Sequence, residues 1–137
     1  GYKYHMNDLG AAVGLGNLED FPKIQSRLAE IAATYRKNLT GIDGIQLLRQ
    51  DADRDSGNWL FTIRVQRRED FIRALADRGV PTSVVHLRID KNSVFGGTRA
   101  DLPGQEIFNQ EQVSLPLHFG LSDSDIAQVV SAVKSGW

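Results

Sequence analysis

Cysteine is absent from all 137 residues, which excludes a disulfide framework, a thiol nucleophile, thiolate-bound zinc and an iron–sulfur cluster held by this chain. An excess of either charge is missing too: the formal net charge is −1, so no basic imbalance points to nucleic acid or an anionic membrane as partner. No apolar run approaches the roughly 20 residues that cross a bilayer, and nothing near Gly1 has the layout of a signal peptide. The expected compartment is the cytoplasm. Histidines are few and scattered. His5, His86 and His118 form no His-x-x-x-His pair, and no metal site is expected. A nucleophile elbow is absent, and Gly14-Leu15-Gly16 lacks the preceding strand that a dinucleotide site needs. Asp51, Asp53 and Asp55 alternate as in a calcium loop, but Ser56 and Thr62 stand where that loop needs a glycine and an acidic residue. A solvated loop is the expectation there.

What is present is an ordinary globular pattern, with 41% apolar and 24% charged residues in a chain long enough for one buried core. Asn7 or Asp8 caps a first helix over residues 8–18, in which Gly10, Gly14 and Gly16 leave a smooth surface suited to a closely packed partner. Asp20 and Pro22 then open a second helix, with Phe21, Ile24, Leu28, Ile31, Tyr35 and Leu39 at three- and four-residue steps. Gly41 and Gly44 end it. The spacing predicts strands over 45–48, 59–65, 80–86 and 113–117, the last near an edge because of Pro116. It predicts helices over 68–78, 102–112 and 123–135, the last capped by Ser122. Residues 87–101 have no clean period and form a long loop of the kind that often carries function. The expected fold class is α/β: a small, three- or four-stranded, largely antiparallel sheet with helices on one face, preceded by two helices. The expected division is 1–40, leading helices at an inter-domain or dimer interface, and 41–137, a small α/β domain.

Composition and periodicity reach no further than that. Gly1-Tyr-Lys-Tyr-His-Met-Asn-Asp8, Ala11-Ala12, Gly14-Leu15 and Asn17-Leu18 resemble the signature segment of the DegT/DnrJ/StrS family of pyridoxal-phosphate-dependent nucleotide-sugar aminotransferases. The resemblance continues in order through residues 27–35, Trp59-Leu-Phe-Thr-Ile-Arg-Val65, Arg68-Glu-Asp-Phe71, Gly79-Val-Pro-Thr-Ser83 with His86, Val113-Ser-Leu-Pro-Leu117 and Gly120-Leu-Ser-Asp123. It implies the small C-terminal domain of the type I aminotransferase fold. The implied activity is transfer of an amino group from glutamate to a nucleotide-linked keto sugar, in a homodimer that uses pyridoxal 5′-phosphate.

The same resemblance implies that the imine-forming lysine lies in another part of the full-length protein. None of Lys3, Lys23, Lys37, Lys91 and Lys134 matches its motif, so no catalytic residue is assigned and this chain alone is expected to be inactive. In the family, the segment matching Gly1 to Met6 reaches a partner's active site. Lys3 is therefore the expected cofactor-phosphate contact and His5 a substrate contact. His86 matches a histidine near the substrate in relatives. Arg88, with Lys91, is assigned to a nucleotide diphosphate on chemistry and position. Two other functions remain open at this point: a sugar dehydratase with the same cofactor, and a non-catalytic dimerisation or nucleotide-sugar-binding module.

Overall fold

A single helix of 32 residues, α1 (Asp8–Leu39), opens the computed structural model, which describes residues 4–137. Asn7 caps it, the side-chain oxygen accepting from Gly10 N at 2.7 Å. The two leading helices expected from the sequence are thus one. Pro22 stands inside α1 rather than in a first turn. A proline at this position cannot donate to the carbonyl four residues earlier, which in a buried helix costs about 3 kcal/mol. Here both Leu18 and Pro22 are exposed, so water can satisfy that carbonyl and the helix continues.

The far end of α1 enters the core, with Ile31, Tyr35 and Leu39 each 0% exposed. Its first half carries Leu9, Val13, Leu15, Leu18 and Phe21 largely exposed. The helix therefore runs through most of the leading segment and ends in the core of the sheet.

Three strands follow in the spatial order β1 (Ile45–Leu47), β2 (Phe61–Val65), β3 (Gln112–Leu115), all antiparallel. Alternation on β2 splits the sheet into two faces. Phe61, Ile63 and Val65, joined by Val113 and Leu115, pack with α1, α2 (Arg68–Asp77) and α4 (Asp123–Lys134) in one apolar core. The other face is polar. Thr62 and Ser114 hydroxyls lie 3.0 Å apart, and the Arg64 guanidinium donates to Glu111, the last residue of α3 (Pro103–Glu111). Pro103 stands in the first turn of α3, where a missing N–H is harmless.

The strand expected over 80–86 is reduced to one bridge, Ser83 with Ser114, and the reason is chemical. Extending that register one way opposes Pro81 to Pro116, neither of which has an N–H to donate. Extending it the other way opposes Val85 to Gln112, whose N–H already bonds to Phe108 O as the C-cap of α3. The ladder cannot grow in either direction, and the chain leaves the sheet.

Gly44, at φ +77, shows why one turn is glycine: a Cβ there would sit 3.0 Å from the Trp137 ring. That ring meets Phe71 edge-on at 5.0 Å, and its Nε1–H donates to Gln66 O at 2.7 Å. At the start of α4, Ser122 and Asp125 form a reciprocal capping box. Replacing Ser122 by alanine should cost about 1 kcal/mol of stability. Urea unfolding checks this, and a change below ~0.3 kcal/mol would show that the cap contributes little.

Candidate functional site

The site is built where the chain leaves the sheet. Trp59, just before β2, is 73% exposed, an uncommon position for so large an apolar ring. Its only ring partner among the described residues is His86, also exposed, with centroids 6.0 Å apart and planes at 61°. The two rings make one aromatic corner at the end of the sheet. His86 belongs to no strand. Its carbonyl accepts instead from Gln112 Nε2, and two residues on, Arg88 N donates to Asn109 Oδ1 at 3.4 Å.

Arg88 points the other way. It is 2% exposed, and its guanidinium makes two parallel bonds to Asp90, at 2.8 and 2.6 Å, a third to Glu106, and a fourth to Arg99 O at 2.9 Å. Asp90 also accepts from Arg99 N at 2.9 Å. The Arg88 hydrogen bond and then the Arg99 N–H hold the Asp90 carboxyl well below the usual carboxylate range, while donating to Asp90 raises Arg88 above its ordinary value. Glu106 is lowered first by Gln110 and then by Arg88. Loop 87–101 is thereby wound into two short 3-10 turns, Ile89–Lys91 and Ser93–Phe95.

The residues singled out from the sequence are therefore placed differently from one another. His86 faces solvent beside Trp59. Arg88, expected to offer a cation to a diphosphate, offers none outward, because two carboxylates outweigh its charge and occupy its donors. His5 is exposed in the lead before α1, and no hydrogen bond or ring contact joins it to His86. Lys3 lies outside the described residues. Trp59, Asp90, Asn109 and Gln112 had not been singled out for function. The Arg-x-Asp spacing at 88–90 was the one local sign of the bidentate pair.

A groove of about 700 Å³ runs between α1 and α4, lined in part by Arg27, Glu30, Thr34, Asp123 and Lys134. It shares no residue with the aromatic corner. Lys23, Lys37, Lys91 and Lys134 are all exposed, so none has the desolvated setting that activates an imine-forming lysine.

Residues 1–134 match the DegT/DnrJ/EryC1/StrS aminotransferase family. The chain belongs to this family. It is 32% identical to the spore coat polysaccharide biosynthesis protein SpsC of Bacillus subtilis, over 98% of this chain and 37% of that protein. It is 26% identical to GDP-perosamine synthase of Escherichia coli, again over 98% and 37%. The fold superposes on the crystal structure of the sugar aminotransferase CalS13 from Micromonospora echinospora with a TM-score of 0.93 and 38% identity, covering 100% of this chain and 37% of that one. The chain thus spans a little over a third of the length of these relatives, and its three-stranded antiparallel sheet with helices is the α/β small domain expected from the resemblance.

Proposed function

We propose that this chain is the small-domain portion of a pyridoxal-phosphate-dependent enzyme that moves an amino group from glutamate to a nucleotide-linked keto sugar. The observation that carries the reading is the superposition on CalS13 over the whole chain at 38% identity. Under this reading the full-length protein is a cytoplasmic homodimer. Residues 1–40 form its inter-domain and subunit-facing segment, consistent with the exposed apolar residues on the first half of α1. Residues 41–137 form the substrate-side domain.

The cofactor, when bound, supplies an electron sink for proton transfer at the amino-bearing carbon. The imine-forming lysine comes from outside these residues. What this chain contributes is recognition. Lys3 offers a cation for the cofactor phosphate, His5 reaches the substrate, and His86, beside Trp59, gives the sugar or its nucleotide a polar edge and an aromatic face. Arg88 acts from beneath rather than by contact.

Two measurements on the purified chain test this. Nuclear magnetic resonance titration with a nucleoside-diphosphate hexose such as UDP-glucose should shift Trp59, His86 and their neighbours; no shift at millimolar ligand would refute a substrate-side role. Added pyridoxal phosphate, reduced with borohydride, should leave none of Lys23, Lys37, Lys91 and Lys134 selectively labelled, because all four are exposed and lack the desolvated setting that favours imine formation. Stoichiometric labelling of a single lysine would overturn the assignment of the reactive lysine to another part of the protein.

A further inference from the structure

The described residues contain five buried polar or charged side chains: Arg88, Asp90, Asn109, Gln112 and Ser114. All five lie on the polar face of the sheet or under the loop that leaves it. Four of them hold that loop. Gln112 binds His86 O, Asn109 binds Arg88 N, Arg88 binds Asp90, and Asp90 binds Arg99 N. The fifth, Ser114, forms the last backbone bridge before the chain departs, exchanging N–H···O bonds with Ser83 at 3.2 and 2.8 Å.

Such an arrangement is a poor way to gain stability. A buried ion pair replaced by packed apolar residues is often neutral or more stable, and a half-satisfied polar network is worse than an apolar core. Gln112 makes the point by itself. It is 0% exposed, yet its Oε1 accepts no hydrogen bond from any described protein group. An unpaired buried amide oxygen carries a desolvation cost, so what the side chain supplies in this structure is a bond from its Nε2 amide to His86 O. The polar groups fix the path of a backbone that neither helix nor sheet can fix.

What that backbone presents is the aromatic corner. We infer that Gln112 and the Arg88–Asp90–Glu106 cluster are positioning residues, which lock residues 86–99 so that the His86 ring is held against Trp59 as a preformed contact for ligand. The inference rests on the substrate-side reading of His86 given above, and it deepens that reading by naming the residues that act through His86 without touching ligand. Preorganisation of this kind matters because a side chain on an unfixed loop must be ordered at the moment of binding, which weakens affinity.

The test uses two variants of the purified chain that break the lock at different places. Asp90→Asn removes the charge and turns one of the two accepting oxygens, which together bind Arg88 and Arg99 N, into a donor. Gln112→Met keeps volume in β3 but removes the donor to His86. Each is examined by amide hydrogen exchange and by ring-to-ring nuclear Overhauser effects. In Asp90→Asn the Arg99 amide should exchange about tenfold or more faster, because it loses its carboxylate acceptor. In both variants the Trp59–His86 cross-peak should fall by more than about half, while Ile63 and Val113 amides keep wild-type protection. A cross-peak retained in both variants would overturn the inference. So would a loss of protection at Ile63 and Val113 in step with the loop, which would mean that the cluster serves global stability instead.

The UDP-glucose titration separates this inference from the reading on which it rests. If His86→Ala binds the probe as wild type does, His86 is not a substrate contact, even where Asp90→Asn loosens the corner. If His86→Ala loses binding and Asp90→Asn keeps it at full strength, the corner matters but its lock does not, and the positioning role fails.

Discussion

Ile63→Ala should lower stability by about 3 kcal/mol, and the midpoint of thermal unfolding by about 10 °C. Ile63 is the centre of the central strand, 0% exposed and paired with Leu47 on one side and Val113 on the other. Leucine- or isoleucine-to-alanine changes cost most where neighbours cannot collapse into the space left behind. Here the cavity would be bounded by two hydrogen-bonded strands on its flanks, and by a core to which three helices contribute above it. None of these can shift without breaking its own pairing. Val94, 82% exposed on the loop, is the internal control: Val94→Ala should stay within about 0.5 kcal/mol. Circular-dichroism melts of both variants decide the matter. A midpoint lowered by less than about 3 °C in Ile63→Ala would mean that the sheet is not the mechanical centre of the domain.

The elements visible in the sequence were those whose burial has one period. Ile126, Val129 and Val133 on α4, and Phe71 and Leu75 on α2, repeat at helical steps and are all buried. Phe61, Ile63 and Val65 alternate and are buried, with Thr62 and Arg64 between them only partly so. The departures have local causes of a different kind. Pro22 was read as a first turn because proline most often stands there, but its place on an exposed stretch of α1 makes an interior position tolerable. The strand at 80–86 has the composition of a strand and lacks a partner, because Pro116 and the capped Gln112 N–H terminate the ladder. No periodicity encodes what a partner's backbone is already doing.

The site was legible to a similar depth. His86 was reached through a family resemblance, and its position beside Trp59 is compatible with contact to a ligand. The direction of Arg88 was not readable. Whether a guanidinium faces water or folds back depends on acceptors that the fold brings to it, here Asp90 two residues on, Glu106 in the following helix and the carbonyl of Arg99. A basic residue in a loop beside a candidate substrate contact suggests a ligand for phosphate. The same residue at 2% exposure between two carboxylates is part of the scaffold.

The second large effect is alkaline. Tyr35 is 0% exposed, packs edge-on against Phe61 at 5.1 Å, and donates its hydroxyl hydrogen to Pro116 O at 2.9 Å. Burial, and then the negative charge of Asp125, push its hydroxyl up to about 12, against about 10 for an exposed tyrosine. The group is neutral when protonated, and folding raises its pKa. The stability it contributes is therefore complete below about pH 10 and is lost as pH rises from there towards 12, because the unfolded chain ionises first. By linkage, the loss should be about 1 kcal/mol at pH 11 and about 2 kcal/mol at pH 12 relative to pH 8. Other groups titrate in that range as well, so the comparison must be with Tyr35→Phe. The variant should be less stable by about 1 kcal/mol at pH 8, where Pro116 O loses its donor. It should also lose less stability than wild type on going to pH 11, so that the two urea-unfolding curves converge. Parallel loss of stability in the two proteins would show that Tyr35 ionises no later in the fold than outside it. Convergence would locate the alkaline limit of this domain at the contact between α1 and the end of β3, the strand that also carries Gln112.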